Sequence, residues 1–330
     1  MFSELTLRGI PFRPARFLAP MAEITHSAFR RLVAEFGGCG GFWTEMLAAK
    51  QILTEDLRQS PWLRRRPAEG RVIYQLMVCG TDRLDRILGR LSEIGPDGID
   101  LNLACDAPSI RGVDAGSGLF ENLDGLSAIL REARRCWPGL LTVKIRLGRD
   151  APGWKERLTE RMRLFEESGV DAVILHPRFF EDKFKRRARH ELYAWAASLT
   201  RLPLIANGDI TGPGTIRESP ALFEPTRGLM IGRMAVVRPW LFASWEKPVN
   251  ADYAGTWNRL CDYVCEDFPP ERALGRMKVF TKYYARNFRF GHGFDTAVQN
   301  APTLEAARER AGAFLGASPA LDAEPSLMGL

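Results

Sequence analysis

Short apolar runs alternate along most of this chain with longer amphipathic stretches, and no other feature constrains the fold as tightly. A short run that is apolar throughout suits a strand buried on both faces of a parallel sheet. Parallel neighbours then need a crossover, and that crossover is usually a helix. Eight runs succeed one another: Arg16–Ala19, Gly41–Thr44, Val72–Leu76, Gly98–Leu101, Leu141–Ile145, Ala172–Leu175, Leu204–Ala206 and Gly228–Ile231. Helical periodicity follows most of them, over Ser27–Glu35, Asp82–Ile94, Leu123–Cys136, Lys155–Ser168 and His190–Leu199. Eight strand–helix units in series predict an α/β fold of the (β/α)8 TIM-barrel type.

The alternation stops near Ser244. Beyond it the pattern is helical over Ala251–Asp267, Arg272–Phe288 and Thr303–Phe314, punctuated by Pro269-Pro270 and by Gly291-His292-Gly293. Two domains are expected: a barrel over residues 1–244 and an all-helical C-terminal domain over residues 245–330. A chain of 330 residues has room for both.

Composition narrows the function classes. The formal net charge of +6 suits an acidic partner such as nucleic acid. The basic cluster Arg64-Arg65-Arg66 and the run Lys183–Arg189 fall in predicted loops. Six cysteines form no CxxC pair and four histidines are scattered, so no metal site is expected. No apolar run approaches the roughly 20 residues that cross a bilayer, and no basic stretch with an apolar core opens the chain. A cytoplasmic protein without a membrane partner is therefore expected, as a monomer. No GxGxxG follows a strand, which disfavours a Rossmann nucleotide site.

A barrel of this type builds its site where strands end and the following loops begin. Strand 1 ends in Pro20-Met21-Ala22 and strand 2 in Glu45-Met46. Strand 3 carries Gln75, and strand 4 runs into Asn102 and Cys105. Strand 5 carries Lys144 and Arg146, strand 6 ends in His176 and Arg178, strand 7 in Asn207-Gly208-Asp209, and strand 8 in Gly232-Arg233. Any one of these has an ordinary structural explanation. Together they bring polar groups to one rim from nearly every strand. Such a rim suits a flavin. Lys144 offers positive charge where the ring gains electron density on reduction, and Gln75 can serve the pyrimidine edge. The glycine-containing loops after strands 7 and 8, with Arg233, suit a terminal phosphate.

The same residues, in the same order, resemble a known family. Leu18–Ala22 (LAPMA) with Phe29-Arg30-Arg31, Thr44-Glu45-Met46, Ile99–Cys105 (IDLNLAC), Val143–Gly148 (VKIRLG), His176-Pro177-Arg178, Ile205–Ile210 (IANGDI) and Met230–Arg233 (MIGR) followed by Pro239-Trp240 resemble the motif series of the bacterial, FMN-dependent tRNA-dihydrouridine synthases. The likeness runs from about Leu18 to Phe242, with a looser continuation to about residue 310. It implies reduction of the C5=C6 bond of a uridine in tRNA, with FMN as cofactor and NADPH as electron source. It makes Cys105 the proton donor. It places Pro20, Met21, Ala22, Gln75, Lys144, His176, Asn207, Gly208, Asp209, Gly232 and Arg233 around FMN. Glu45, Asn102 and Arg178 become substrate residues.

The segment Gly275–Phe290 (GRMKVFTKYYARNFRF) resembles the family's RNA-contacting helix. Arg276, Lys278, Lys282 and Arg286, with Arg289, are then expected at phosphates, while Tyr283 and Tyr284 pack or stack. The chain departs from the family where Gly-Cys-Pro is replaced by Ala104-Cys105-Asp106, and where His176-Pro177-Arg178 has proline for glycine. A carboxylate beside the thiol is expected to disfavour the thiolate, which suits a general acid. Two other readings stand beside this one: an FMN reductase of the same fold acting on another RNA such as rRNA or on a small enone, and a non-catalytic RNA-binding protein. The retained Lys144, His176 and phosphate-loop residues favour an enzyme, and the basic tail favours RNA.

Overall fold

The computed structural model describes residues 2–330. Eight parallel strands close into a barrel: Arg16–Leu18, Gly41–Trp43, Val72–Met77, Gly98–Leu103, Leu140–Ile145, Ala172–Leu175, Leu204–Asn207 and Gly228–Ile231, here strands 1 to 8. Closure is visible in the register, because strand 8 pairs with strand 1 through Met230 and Phe17, and strand 2 pairs with strand 3 through Phe42 and Val72. Strands 4 and 5 pair over their whole lengths, from Gly98 with Leu140 to Leu103 with Ile145. Every residue of those two strands is buried. Their polar members, Asp100, Asn102, Thr142 and Lys144, alternate with apolar ones, as in a barrel strand that turns successive side chains to opposite faces.

The crossover helices form for local reasons. Asn122 caps Leu123–Cys136 by accepting the Gly125 N–H at 3.0 Å. That helix turns Leu126, Ile129, Leu130 and Ala133 inward at helical spacing. Each buried leucine or isoleucine there contributes about 1.5–3 kcal/mol. No helix among the described residues is long and apolar enough to cross a membrane.

Beyond the barrel lie the helices Tyr253–Asp267, Pro270–Tyr284, Gly291–Gln299 and Leu304–Gly316. Gly291-His292-Gly293 opens a helix instead of only interrupting one. Gly291 is needed because a Cβ there would stand 1.8 Å from the Ala285 carbonyl oxygen. A short antiparallel hairpin, Leu5–Leu7 with Ile10–Phe12, was not legible in the sequence. Its Arg8 donates to the Pro138 carbonyl at 2.6 Å and pairs with Asp171, both just ahead of strands 5 and 6, so it covers the face opposite the strand ends.

The helical part is clamped to the barrel by charge. Buried Arg30 pairs with Glu69 and donates to the carbonyls of Thr25 and Arg64. Arg64 and Arg66 in turn meet Asp267 at 2.8 and 2.5 Å. The basic cluster at 64–66 therefore braces two parts of the molecule.

Candidate active site

The strand ends surround a cavity of about 370 Å³, within the range of small-molecule pockets. Pro20, Met21, Ala22, Gln75, Lys144, His176, Asn207, Gly208, Asp209, Gly232 and Arg233 all line it, as do Asn102 and Cys105. Parallel strands end at one rim, so residues far apart in sequence become neighbours there. Glu45 and Arg178 do not line it, nor do Arg276, Lys278, Lys282 and Arg286.

A buried polar chain runs under the cavity. Asp100 accepts from Thr142 Oγ1 at 2.6 Å and from Gln75 Nε2 at 2.7 Å. Gln75 Oε1 accepts from Asn102 Nδ2 at 2.9 Å, and Asn102 Oδ1 accepts the N–H groups of Ala104 and Cys105 at 3.1 and 3.0 Å. Burial pushes the Asp100 carboxyl up to about 6, against its hydrogen bonds and the Lys144 charge. Asn102 thus spends its side chain on shaping the Cys105 loop.

Asp106, beside the thiol, is braced and not bare. Its Oδ1 accepts from Ser117 Oγ at 2.6 Å and Arg111 Nη1 at 3.1 Å, with Arg149 at 3.8 Å. Burial raises this carboxyl, but the bonds from Ser117 and Arg111 outweigh it and hold it below the usual range. Ser117 N–H also reaches the Cys105 carbonyl at 2.9 Å. Two guanidiniums face the Asp106 carboxylate, and its contacts pin the loop.

Lys144 on strand 5 and Arg146, the first residue after it, are separated by one residue, and both line the cavity. Neither has a hydrogen-bond or ion-pair partner among the described residues. Burial, then the Arg146 charge, lowers the Lys144 ammonium to about 8. His176 is held well below its usual range by burial and by the charges of Lys144, Arg146, Arg178 and Arg233, so the ring is neutral. Arg178 Nη1 lies 2.8 Å from His176 Nε2. A guanidinium only donates, so Nε2 accepts and the proton sits on Nδ1.

The loops after strands 7 and 8 are set by close approach and strain. A Cβ on Gly208, where φ is +107°, would fall 2.5 Å from His176 Cδ2, and one on Gly232 would meet Met21 Sδ at 3.0 Å. Asn207 ties the two strands through the Met230 carbonyl at 2.8 Å. Asp209 adopts a left-handed φ of +50°, a conformation that costs about 1 kcal/mol or more outside glycine. Three donors hold it there: Ala188 N–H at 2.8 Å, Arg178 at 2.6 Å and Arg233 at 3.0 Å. Arg178, buried and also bonded to the Arg186 carbonyl, braces the rim from behind.

Glu45 sits beneath the strand 1 loop, accepting the Glu23 N–H at 2.7 Å, and burial raises its carboxyl. Arg276 faces Glu23 at 3.7 Å and lies over the Phe268 ring, half-buried at the barrel–helix seam. Lys282 and Arg289 are exposed, and Lys278 and Arg286 half-exposed. Tyr284 is buried and donates to the Tyr253 carbonyl, whereas Tyr283 reaches the cavity. Sequence reasoning named Arg146 without a role; its spacing from Lys144 was the available signal. Tyr283, expected to pack or stack, lines the cavity, as do Phe184 and Leu327, which no sequence pattern marks as cavity residues.

A family model described as dihydrouridine synthase (Dus) matches residues 17–285. The tRNA-dihydrouridine synthase B of Escherichia coli (strain K12) is 32% identical over 228 residues, 68% of each chain. That of Pasteurella multocida (strain Pm70) is 28% identical over 238 residues, 72% of this chain and 70% of the other. Among solved structures, morphinone reductase superposes with a TM-score of 0.55 at 10% identity, covering 74% of this chain and 88% of its own. At that identity the likeness concerns the fold alone.

Proposed function

The chain belongs to the dihydrouridine synthase family and is an oxidoreductase, and from this premise we propose that it reduces the C5=C6 bond of a uridine in tRNA with FMN as cofactor and NADPH as electron source. The observation that carries the reading is a pair of cations without a hydrogen-bond or ion-pair partner among the described residues, Lys144 and Arg146, facing a cavity that also holds Cys105. Two cations with no acceptor on the protein call for an electron-rich ligand.

The donor set fits a flavin. Gly208 and Gly232 line the cavity where a Cβ would crowd His176 and Met21, and Arg233 stands beside them for a phosphate. Lys144, Gln75 and His176 Nδ1–H offer the charge and polar groups that a flavin ring uses. FMN, when bound, supplies the hydride for C6 of the uracil. Cys105 holds the proton for C5, so hydride and proton together saturate the double bond. Asn102 fixes the Cys105 backbone, Asp106 pins the loop from its other side, and Arg146 is free to meet a uracil carbonyl. The helical part from residue 245 onward, with Lys282 and Arg286 on its basic helix and turn and Arg289 just beyond, serves to hold the tRNA by its phosphates.

Two measurements test the reading. Purified protein should be yellow and release FMN on denaturation. Mass-spectrometric mapping of RNA from a strain lacking the gene should show dihydrouridine missing from defined tRNA positions. A protein that takes up no flavin, or a strain with intact tRNA dihydrouridine, would sink it.

A further inference from the structure

The last helix ends at Gly316, yet the chain after it returns to the mouth of the cavity. Its path is built, bond by bond. Arg289 N–H donates to the Ala320 carbonyl at 3.0 Å, Leu321 bridges to Phe288, and Asp322 N–H donates to the Asn287 carbonyl at 2.7 Å. Arg238 donates to the carbonyls of Asp322 and Ala323 at 3.0 and 3.1 Å. Arg238 is itself aimed by Asn287 Oδ1 at 3.2 Å, and Asn287 is buried and bonded to Val237 and Tyr284. Pro325 is buried, and Leu327 and Leu330 pack on the core. Leu327 then lines the cavity, and its carbonyl accepts from Arg233 Nη1 at 3.3 Å. None of residues 320–330 lies in the stretch matched by the family model, which ends at residue 285.

We propose that this C-terminal strap, residues 320–330, is part of the flavin site, with Leu327 walling the cavity at its Arg233 end so that it accepts a mononucleotide and rejects a dinucleotide. The proposal rests on the flavin reading above. Arg233 is fixed on three sides: Asp209 Oδ1 at 3.0 Å, the Phe184 ring 4.3 Å from its guanidinium carbon, and the Leu327 carbonyl. A cation held this way loses little freedom when an anion arrives, and a wall that keeps water off it strengthens its pull. FMN ends at its phosphate and needs no exit past Arg233. FAD carries a second nucleotide beyond that phosphate, which would have to pass where Leu327 and Tyr283 stand.

The test titrates flavin-free protein with FMN and with FAD, following the quenching of flavin fluorescence. Three proteins are compared: the full chain, a chain truncated after Glu324, and Arg238→Met, which unlatches the strap without touching the cavity lining. The full chain should prefer FMN to FAD by about tenfold or more. Truncation should loosen FMN by about tenfold and narrow the FMN-to-FAD ratio, and Arg238→Met should shift both in the same direction. Flavin binding by the truncated chain with unchanged constants and ratio would overturn the strap's role while leaving the flavin reading standing. A full chain that binds neither flavin overturns the flavin reading, and the strap proposal with it.

Discussion

The side-chain oxygen of Asn102 accepts the backbone N–H of Cys105 at 3.0 Å, at the end of a buried chain that passes through Gln75 to Asp100. The thiol is thus placed by strand 4 and by the polar floor beneath it, not by its loop alone. Asn102→Ala leaves the Ala104 and Cys105 N–H groups unpaired, at about 1–3 kcal/mol for a buried donor. The expected result is a protein that keeps its flavin but forms dihydrouridine roughly thirtyfold more slowly in single turnovers. Asn102→Asp, which keeps the acceptor, should recover part of the rate. An alanine variant with the parent rate would remove Asn102 from this role.

Cys105→Ala should bind FMN as the parent does while losing about 10²–10⁴ in the rate of uridine reduction, the usual contribution of a positioned acid. Flavin absorbance gives the first readout and dihydrouridine content of tRNA the second. Unchanged reduction would assign the proton at C5 to another group.

Asp106 pins the Cys105 loop through Ser117 and Arg111. Asp106→Ala should free that loop and raise the alkylation rate of Cys105 by iodoacetamide several-fold, with a smaller loss of thermal stability because Arg111 is well exposed. Asp106→Asn keeps the acceptor for Ser117 and should stay near the parent. If alanine leaves alkylation unaltered, the brace is not what orders the loop.

Burial and the Arg146 charge lower the Lys144 ammonium to about 8, so raising the pH through that value removes its charge. A bound electron-rich ligand stabilises the charged form and moves the midpoint upward. FMN affinity should therefore be level near pH 7 and fall at more alkaline pH, with a midpoint at or above about 8. In Lys144→Met the affinity should be lower and this alkaline limb should be gone. The same pH profile in both proteins would place the titration elsewhere.

Arg276 and Lys282 lie on one helix but should behave differently. Lys282 is exposed, so Lys282→Ala should weaken tRNA binding, reduce the salt slope by about one and leave the melting temperature alone. Arg276 is turned toward Glu23 and Phe268 at the seam, so Arg276→Ala should lower the melting temperature and change the salt slope little. A reversed pattern, seen by filter binding across salt concentrations and by calorimetry, would mean that Arg276 turns outward to RNA.

Much of the barrel was legible because short, largely apolar strands alternate with stretches of helical periodicity, which supply the crossovers that parallel strands need. The helix Leu123–Cys136 was readable to the residue, since Asn122 and the apolar stripe are local signals. The cavity residues of strands 1 and 3 to 8 were legible for a related reason: parallel strands put their C-terminal ends at one rim. Gly291 misled as a breaker, because its need for close approach to Ala285 depends on a neighbouring turn.

The sequence by itself determined the barrel, the helical extension and which residues would crowd the strand ends, since all three follow from periodicity and chain order. Only the tertiary structure decided what those residues do with their hydrogen bonds. It turned Arg178 and Asp209 into a mutual brace, gave Asn102 to the Cys105 loop, left Lys144 and Arg146 unpartnered, and carried Leu327 from the far end of the chain to Arg233. The reason is physical: a side chain's partners are set by distance in the folded molecule, and sequence spacing fixes that distance only within one helix or strand.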